Sequence, residues 1–516
     1  MVLGIFLAFV VGIASVAMYF YLGSLIHHRT VNGLQHAGSS ENILLVGSTT
    51  RCGLKHQDRH YGLCALGVTG VNSDVTMIVH LDPKTGGVSL LSIPRDLFVP
   101  NARIEGANKI DAALYQGPSQ LVSAIEEDFG IPIDHFVELN FDSFASIVDA
   151  IGGVWMYFPR PVYDAESFLN VRSIGCHYLN GYHALQVVRA RHLQIKPIGG
   201  SNVHATWPQE AQSDLARIRR THEFLRVLAA AVASKGIGNP STDLDLATSV
   251  LPNLTVDQTF NENHMISLAE TFATVSIGNV PQLTYPVLID LMNGYRYKGG
   301  SYGDVAFPIQ PGGVRTINQV FGTTANQSTW DGRTLPAASS FSVAVLNGTG
   351  IAHQASIVAD ALRLRGYSIS STGDRTPVGP LAETVVWYGG PPPPKNGAWT
   401  NPALADAERV VEQLQGPVIM GYNPNALAPG STVTVQTGSD LSVAPSDPTA
   451  ATTTTTSAPS TSSTHPSSTT QPVTATTVPD VPGVATDNRF SAPSATAQPL
   501  EPWDPRACNA SHTGPA

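Results

Sequence analysis

Two carboxylates and an arginine stand together at the mouth of a hairpin. Val71–Leu81 and Val88–Ile93 read as strands, and Asp82-Pro83-Lys84-Thr85-Gly86-Gly87 between them carries strong turn chemistry. Antiparallel pairing about that turn, with facing residue numbers summing to about 170, sets Asn72, Ser73 and Asp74 beside Arg95 and Asp96. Such a group can bind a divalent cation through carboxylate oxygen and a phosphate through the guanidinium. It can equally be an ion pair that closes a strand end.

A second basic cluster favours the phosphate reading. In Val187-Val188-Arg189-Ala190-Arg191 a strand period of two puts both arginines on one face. A helical pattern from Ser213 to Lys235 makes Arg217 and Arg220 i,i+3 neighbours above an apolar stripe of Leu215, Ile218, Leu225 and Leu228. Asp214 sits in its first turn, where a carboxylate suits the helix dipole. With Lys109 after the hairpin, these side chains build a cationic pocket in a chain of formal net charge −10. A pyrophosphate matches such a pocket through charge-assisted, partly bidentate hydrogen bonds. A solvated basic face is the blander alternative.

The segments NSDVTMIVHLDP, SIPRDL, NKIDAALYQGP, ALQVVRARH and SDLARIRRTHEFL, in that order, resemble the LytR-CpsA-Psr family. The resemblance runs from Asn42 to Lys235 and more weakly to about Gly322. VAVLNGTG opens a unit similar to the LytR C-terminal domain. The resemblance implies an α-β-α sandwich around a mixed sheet, with an apolar groove for a polyprenyl chain. It implies transfer of a polyprenyl-pyrophosphate-linked glycan donor onto a peptidoglycan acceptor, with release of polyprenyl phosphate. By that resemblance Asp74 binds Mg²⁺ (or Mn²⁺), and Arg95, Arg189, Arg191 and Arg217 are the catalytic, pyrophosphate-binding arginines. Lys109 and Arg220 match further basic positions of the pocket, and Asp96 orients Arg95.

Two departures stand out. Where the family often reads G-x-D-x-R, this chain has Gly47-Ser48-Thr49-Thr50-Arg51, and the loop that follows offers only Asp58 as a second metal carboxylate. The segment between Gln194 and Ala211 is long, and its His204 and Trp207 are placed to shape acceptor access. The acceptor hydroxyl needs a base, for which Asp74 and Asp214 are candidates. With water as acceptor the same pocket is a pyrophosphate hydrolase; without turnover it is a lipid-pyrophosphate binding or scaffold protein.

The elements that position these residues divide the chain by composition. Val2–Ile26 is uncharged and long enough to cross a bilayer, with Tyr19, Phe20 and Tyr21 near its outer end. It reads as a transmembrane anchor (1–26), the competing reading being a signal peptide cleaved after Ser15-Val16-Ala17. A stalk follows (27–41), then an α/β catalytic domain (42–325), a linker (326–340), a smaller α/β domain (341–438) and a disordered Thr/Ser/Pro-rich tail (439–516). This order puts the bulk of the chain on the extracytoplasmic face of the plasma membrane. An oxidising compartment suits a Cys52–Cys64 disulfide; Cys176 and Cys508 stay unassigned. Net acidity and the lack of a basic domain argue against nucleic acid as a partner. Walker A and H-E-x-x-H motifs are absent from the sequence.

Overall fold

The computed structural model describes residues 23–35, 40–52, 54, 62–211, 213–234, 248–272, 280–290, 294–375, 382–395, 397–443 and 499–508. The first part of the chain contains β1 (His27–Arg29), β2 (Glu41–Ser48), β3 (Ser73–Asp82), β4 (Gly87–Ile93), α1 (Pro118–Phe129), β5 (His135–Leu139) and α2 (Phe141–Ala150). Then follow β6 (Val154–Phe158), β7 (Gly175–Leu179), α3 (Gly181–Arg189), α4 (Ser213–Ser234), β8 (Thr255–Asp257), α5 (Glu262–Phe272) and β9 (Gln282–Thr284).

The central sheet is mixed and seven-stranded, in the order β1-β8-β5-β2-β3-β4-β9. Alternation along β2 and β3 decides which side chains meet which layer. Leu44, Val46 and Ile78 enter the fully buried core that Leu121, Val122, Ile125 and Phe129 of α1 complete. Leu45, Val75 and Met77 point to the other face, under α2, α3 and α4. Helices on both faces make an α-β-α sandwich. Helix α1 has Pro118 in its first turn and ends at Gly130, whose φ of 66° lies in the left-handed region that favours glycine.

The second part contains β10 (Val287–Ile289), β11 (Ala306–Gln310), α6 (Gly312–Phe321), β12 (Ser342–Asn347), α7 (Gln354–Arg363) and β13 (Ser368–Asp374). It continues with β14 (Thr384–Tyr388), α8 (Pro402–Val411), β15 (Leu414–Tyr422), β16 (Val433–Thr437) and, far along the chain, β17 (Arg506–Ala507). Its sheet runs β10-β11-β15-β14-β16-β12-β13, with Ser442–Val443 also paired to β15.

Three segments pack beyond the units expected for them. Residues 27–35 are not a free stalk: β1 pairs in parallel with β8, and Val31 and Leu34 are buried in the main core. The second sheet extends beyond the smaller domain expected from 341, because β11 pairs with β15 and brings β10 with it. Residues 499–508 of the expected disordered tail fold back onto the first domain. There β17 pairs with β6, and Cys508 is disulfide-bonded to Cys176. No helix among the described residues is long and apolar enough to cross a membrane; most of the expected anchor, residues 1–22, lies outside them.

Candidate active site

The hairpin sets the first contact. Strand β3 faces β4 with Thr76 opposite Ile93, and extending that register by two residues puts Asp74 opposite Arg95. The turn is held by Asp82, which accepts from the Lys84 N–H (3.0 Å) and the Thr85 hydroxyl (2.7 Å). Pro94 cannot donate to the ladder and ends β4 one residue before Arg95. Arg95 Nη1 then donates to Asp74 Oδ1.

The other cations arrive from helices. Arg189 and Arg191 are not on a strand, as their period suggested. Asn180 caps α3 by accepting from the His183 N–H (3.0 Å), and Leu185 and Val188, i,i+3 neighbours, bury the helix face. Arg189 closes the last turn, its guanidinium 4.8 Å from the centroid of the Phe141 ring. Ala190 is extended and turns the chain, so that Arg191 reaches Asp96 Oδ2 at 3.2 Å. Arg217 of α4 donates to the Asp74 carbonyl oxygen (2.6 Å) and lies 2.8 Å from Asp214 Oδ1. Lys109 donates to Asp96 Oδ1 at 2.9 Å. Asp74, Arg95, Lys109, Arg191 and Arg217 therefore share one connected cluster, with Asp96 and Asp214 as its bridging acceptors.

Charge explains the protonation states. Burial alone pushes the Asp74 carboxyl up, but Arg217 and Arg95 hold it below the usual carboxylate range. Burial likewise opposes, and Arg95, Lys109 and Arg191 outweigh it, for Asp96. Asp74 is a hard oxygen donor of the kind magnesium takes, whereas Asp214 Oδ1 is already ion-paired with Arg217, Arg191 and Arg95. Asp58, the other expected metal carboxylate, lies outside the described residues.

A groove opens from this cluster. Its floor is Leu45, Val75 and Met77, its walls include Phe144 and Leu225, and Asp74, Arg189 and Arg217 line one end. An apolar channel ending in carboxylate and guanidinium groups takes an amphiphile with an anionic head.

Several placements differ from expectation or were missed. Arg220 does not face the pocket. It is fully buried, paired with Glu210, and donates to the Ala190 carbonyl oxygen (2.6 Å). His204 stacks on Tyr163 and Trp207 is buried, its indole N–H donating to the Ser201 carbonyl. Arg51, in the loop without its aspartate, lies 5.7 Å from the Phe141 ring centroid and feels the Asp74 charge. Asp111, two residues after Lys109, is buried; burial pushes its carboxyl up to about 7 despite the nearby Arg95. Cys52 and Cys64 are disulfide-bonded.

Residues 21–306 match the LytR_cpsA_psr family, more than half of the 516-residue chain. The chain belongs to the LytR_cpsA_psr family. Residues 340–441 match a second family, described as LytR cell envelope-related transcriptional attenuator. Among curated relatives, the probable cell wall biosynthesis protein LcpB of Corynebacterium glutamicum is 34% identical over 256 residues, 46% of this chain and 57% of that one. The polyisoprenyl-teichoic acid–peptidoglycan teichoic acid transferase TagU of Bacillus cereus is 27% identical over 198 residues, 37% of this chain and 57% of that one. The match thus spans little more than half the length of either relative. A solved LytR-Csp2A-Psr enzyme from Actinomyces oris is 24% identical, covers 55% of this chain and 92% of its own, and superposes with a TM-score of 0.42. Within the LytR_cpsA_psr chain described here, the arginine cluster and the groove belong to the part that the family match covers.

Proposed function

We propose that this chain transfers a glycopolymer from a polyprenyl-pyrophosphate carrier to peptidoglycan during cell-wall assembly. The observation that carries the reading is the continuity of apolar groove and arginine cluster. A polyprenyl chain lies along Leu45, Met77, Phe144 and Leu225, and its pyrophosphate meets Arg95, Arg189, Arg191 and Arg217. The name of TagU, a teichoic acid transferase, supports the same class of reaction, and that of LcpB supports a role in cell wall biosynthesis.

In the proposed step an acceptor hydroxyl of peptidoglycan attacks the phosphorus next to the glycan. A new phosphodiester bond forms, the P–O–P bridge breaks, polyprenyl phosphate leaves, and the hydroxyl proton passes to a base. Such chemistry needs little beyond positioning and charge neutralisation. The four arginines neutralise the phosphates by charge-assisted hydrogen bonds. Asp96 holds Lys109 and Arg191 at fixed separation, so these cations are ordered before the donor arrives. Asp74 would hold Mg²⁺ or Mn²⁺, which when bound supplies further charge to the phosphoryl oxygens. Residues 2–26 would anchor the chain in the plasma membrane with its bulk outside the cytoplasm.

The test is incorporation of labelled glycan into insoluble peptidoglycan by the full chain in detergent. Acceptor-dependent incorporation that disappears in Arg95→Ala supports the transferase. Donor cleavage that proceeds at the same rate without acceptor replaces it with a hydrolase.

A further inference from the structure

At the end of β2 remote from Asp74 lies a second group of chemistry-bearing side chains. Glu41 opens β2, His135 opens β5, and His264 sits on α5. Strand rise alone puts Glu41 roughly 24 Å from Ser48 at the other end of β2, so this group is separate from the arginine cluster. His264 Nε2 lies 2.8 and 2.9 Å from the two Glu41 oxygens. His135 Nε2 lies 3.9 Å from Glu41 Oε2. The three ligand atoms fall within 4.8 Å of one another.

The surroundings fix which nitrogen of His135 faces the group. Its Nδ1 is 3.0 Å from Asp257 Oδ2, and Asp257 is fully buried. That same oxygen accepts from the Phe136 N–H (3.0 Å), and Asp257 Oδ1 accepts from the Thr259 and Phe260 N–H groups. A carboxylate so engaged is an acceptor, so Nδ1 of His135 carries the proton and Nε2 turns a lone pair toward Glu41. Stacking on Phe260, ring centroids 4.3 Å apart, holds the ring in that orientation. A histidine whose far nitrogen is fixed by a carboxylate is the usual outer support of a metal ligand.

We propose that Glu41, His135 and His264 form a divalent transition-metal site of the zinc type, with water as the fourth ligand. Two imidazoles and one carboxylate are a zinc donor set. Bonds of about 2.0–2.1 Å put tetrahedral ligand atoms about 3.4 Å apart, a value that the His264–Glu41 and His135–Glu41 spacings of 2.8 and 3.9 Å bracket. His135 is already ordered. His264 and Glu41 side chains are 36% and 21% exposed and have room to close on the ion. The ion would tie α5 to the first residues of two central strands. Magnesium, a hard ion that prefers oxygen, is not expected here.

The experiment uses the untagged full chain in detergent, stripped of metal, and titrates it with Co²⁺ and Zn²⁺. All four cysteines are in disulfides, so thiolate contributes no cobalt signal. Expected are a four-coordinate Co²⁺ visible spectrum, its displacement by Zn²⁺, and a zinc-dependent rise in Tm of a few degrees. All three are absent in His264→Asn with Glu41→Gln, whose side chains are partly exposed and whose fold is checked by its Tm without metal. An identical cobalt spectrum and Tm shift in wild type and double variant overturns the site. So does the absence of both in wild type, which leaves Glu41 as the ion-pair partner of the two histidines.

Discussion

Arg220 donates to the carbonyl oxygen of Ala190 at 2.6 Å, and Ala190 is the single residue between Arg189 and Arg191. Arg220 is therefore a positioning residue: it holds the turn that aims two cations at the site. Its own geometry is held by Glu210, which also bonds Arg219, and Arg219 Nε donates to Asp504 Oδ2 (2.5 Å). Asp504 is fully buried and belongs to the segment that Cys508 fastens to Cys176. Asp504→Asn leaves buried guanidinium charge uncompensated, a change that costs about 3–5 kcal/mol when a buried pair is broken. The expected kinetic result is a fall in kcat with a smaller change in donor KM, and partial recovery in Asp504→Glu. A variant with lowered Tm but unchanged turnover per folded molecule would show that the clasp only stabilises.

Arg95 makes the most direct contact with Asp74, and its charge points into the proposed pyrophosphate position. Loss of one positioned donor to developing charge costs about 10²–10³ in kcat. Arg95→Ala is expected to fall in that range, and Arg95→Lys to recover little, because a point charge cannot reproduce a forked contact. Steady-state transfer rates check this; equal rates for Lys and wild type would remove the forked contact from the account.

Leu225 lines the groove beyond the cluster. Leu225→Trp fills space that the proposal gives to the lipid. Losing one or two buried CH₂-sized contacts at about 0.8 kcal/mol each raises KM by roughly tenfold. The effect should appear with a long-chain donor and vanish with a short-chain one. Equal KM changes for both donors would place the lipid elsewhere.

The junction of the two sheets gives a pH dependence. Tyr388 donates to the Glu127 carbonyl (3.0 Å), and the Thr329 N–H donates to Glu408 (3.2 Å). Burial pushes the Glu127 and Glu408 carboxyls up to about 8. Because the folded values lie above the ordinary 4.5, this stability is full below about pH 4.5 and is lost as pH rises through about 8. Asp74 and Asp257, whose carboxyls are held low, act in the opposite sense only at acid pH. Tm should fall by a few degrees from pH 6 to pH 9, and Glu127→Gln should flatten that fall. A Tm that rises over this interval contradicts the assignment.

The sequence analysis reached furthest where the physics is local. Alternation on either side of an Asp-Pro-Lys-Thr-Gly-Gly turn is enough to set Asp74 opposite Arg95, and the two strands pair as expected. The α4 pattern, Ser213–Lys235, matches the observed helix to within a residue. Where short segments fit two periods, the reading failed: Val187–Arg191 alternates like a strand, but the Asn180 cap and the burial of Leu185 and Val188 make it the end of a helix. Nonlocal partners were invisible. Arg220 looks like a pocket residue until Glu210 and Asp504 are folded against it, and Asp504 lies 285 residues beyond Arg219. Burial, which raises Asp111, is likewise a property of the assembled fold.

The most direct test of the central claim is the affinity of the full chain in detergent for a polyprenyl pyrophosphate, set beside the polyprenol of the same length. The account predicts that Arg95→Ala with Arg191→Ala weakens the pyrophosphate at least tenfold, since each charge-assisted bond is worth about 1.5–3 kcal/mol, and leaves the alcohol unchanged. Equal affinity of the double variant and wild type for the pyrophosphate would contradict it.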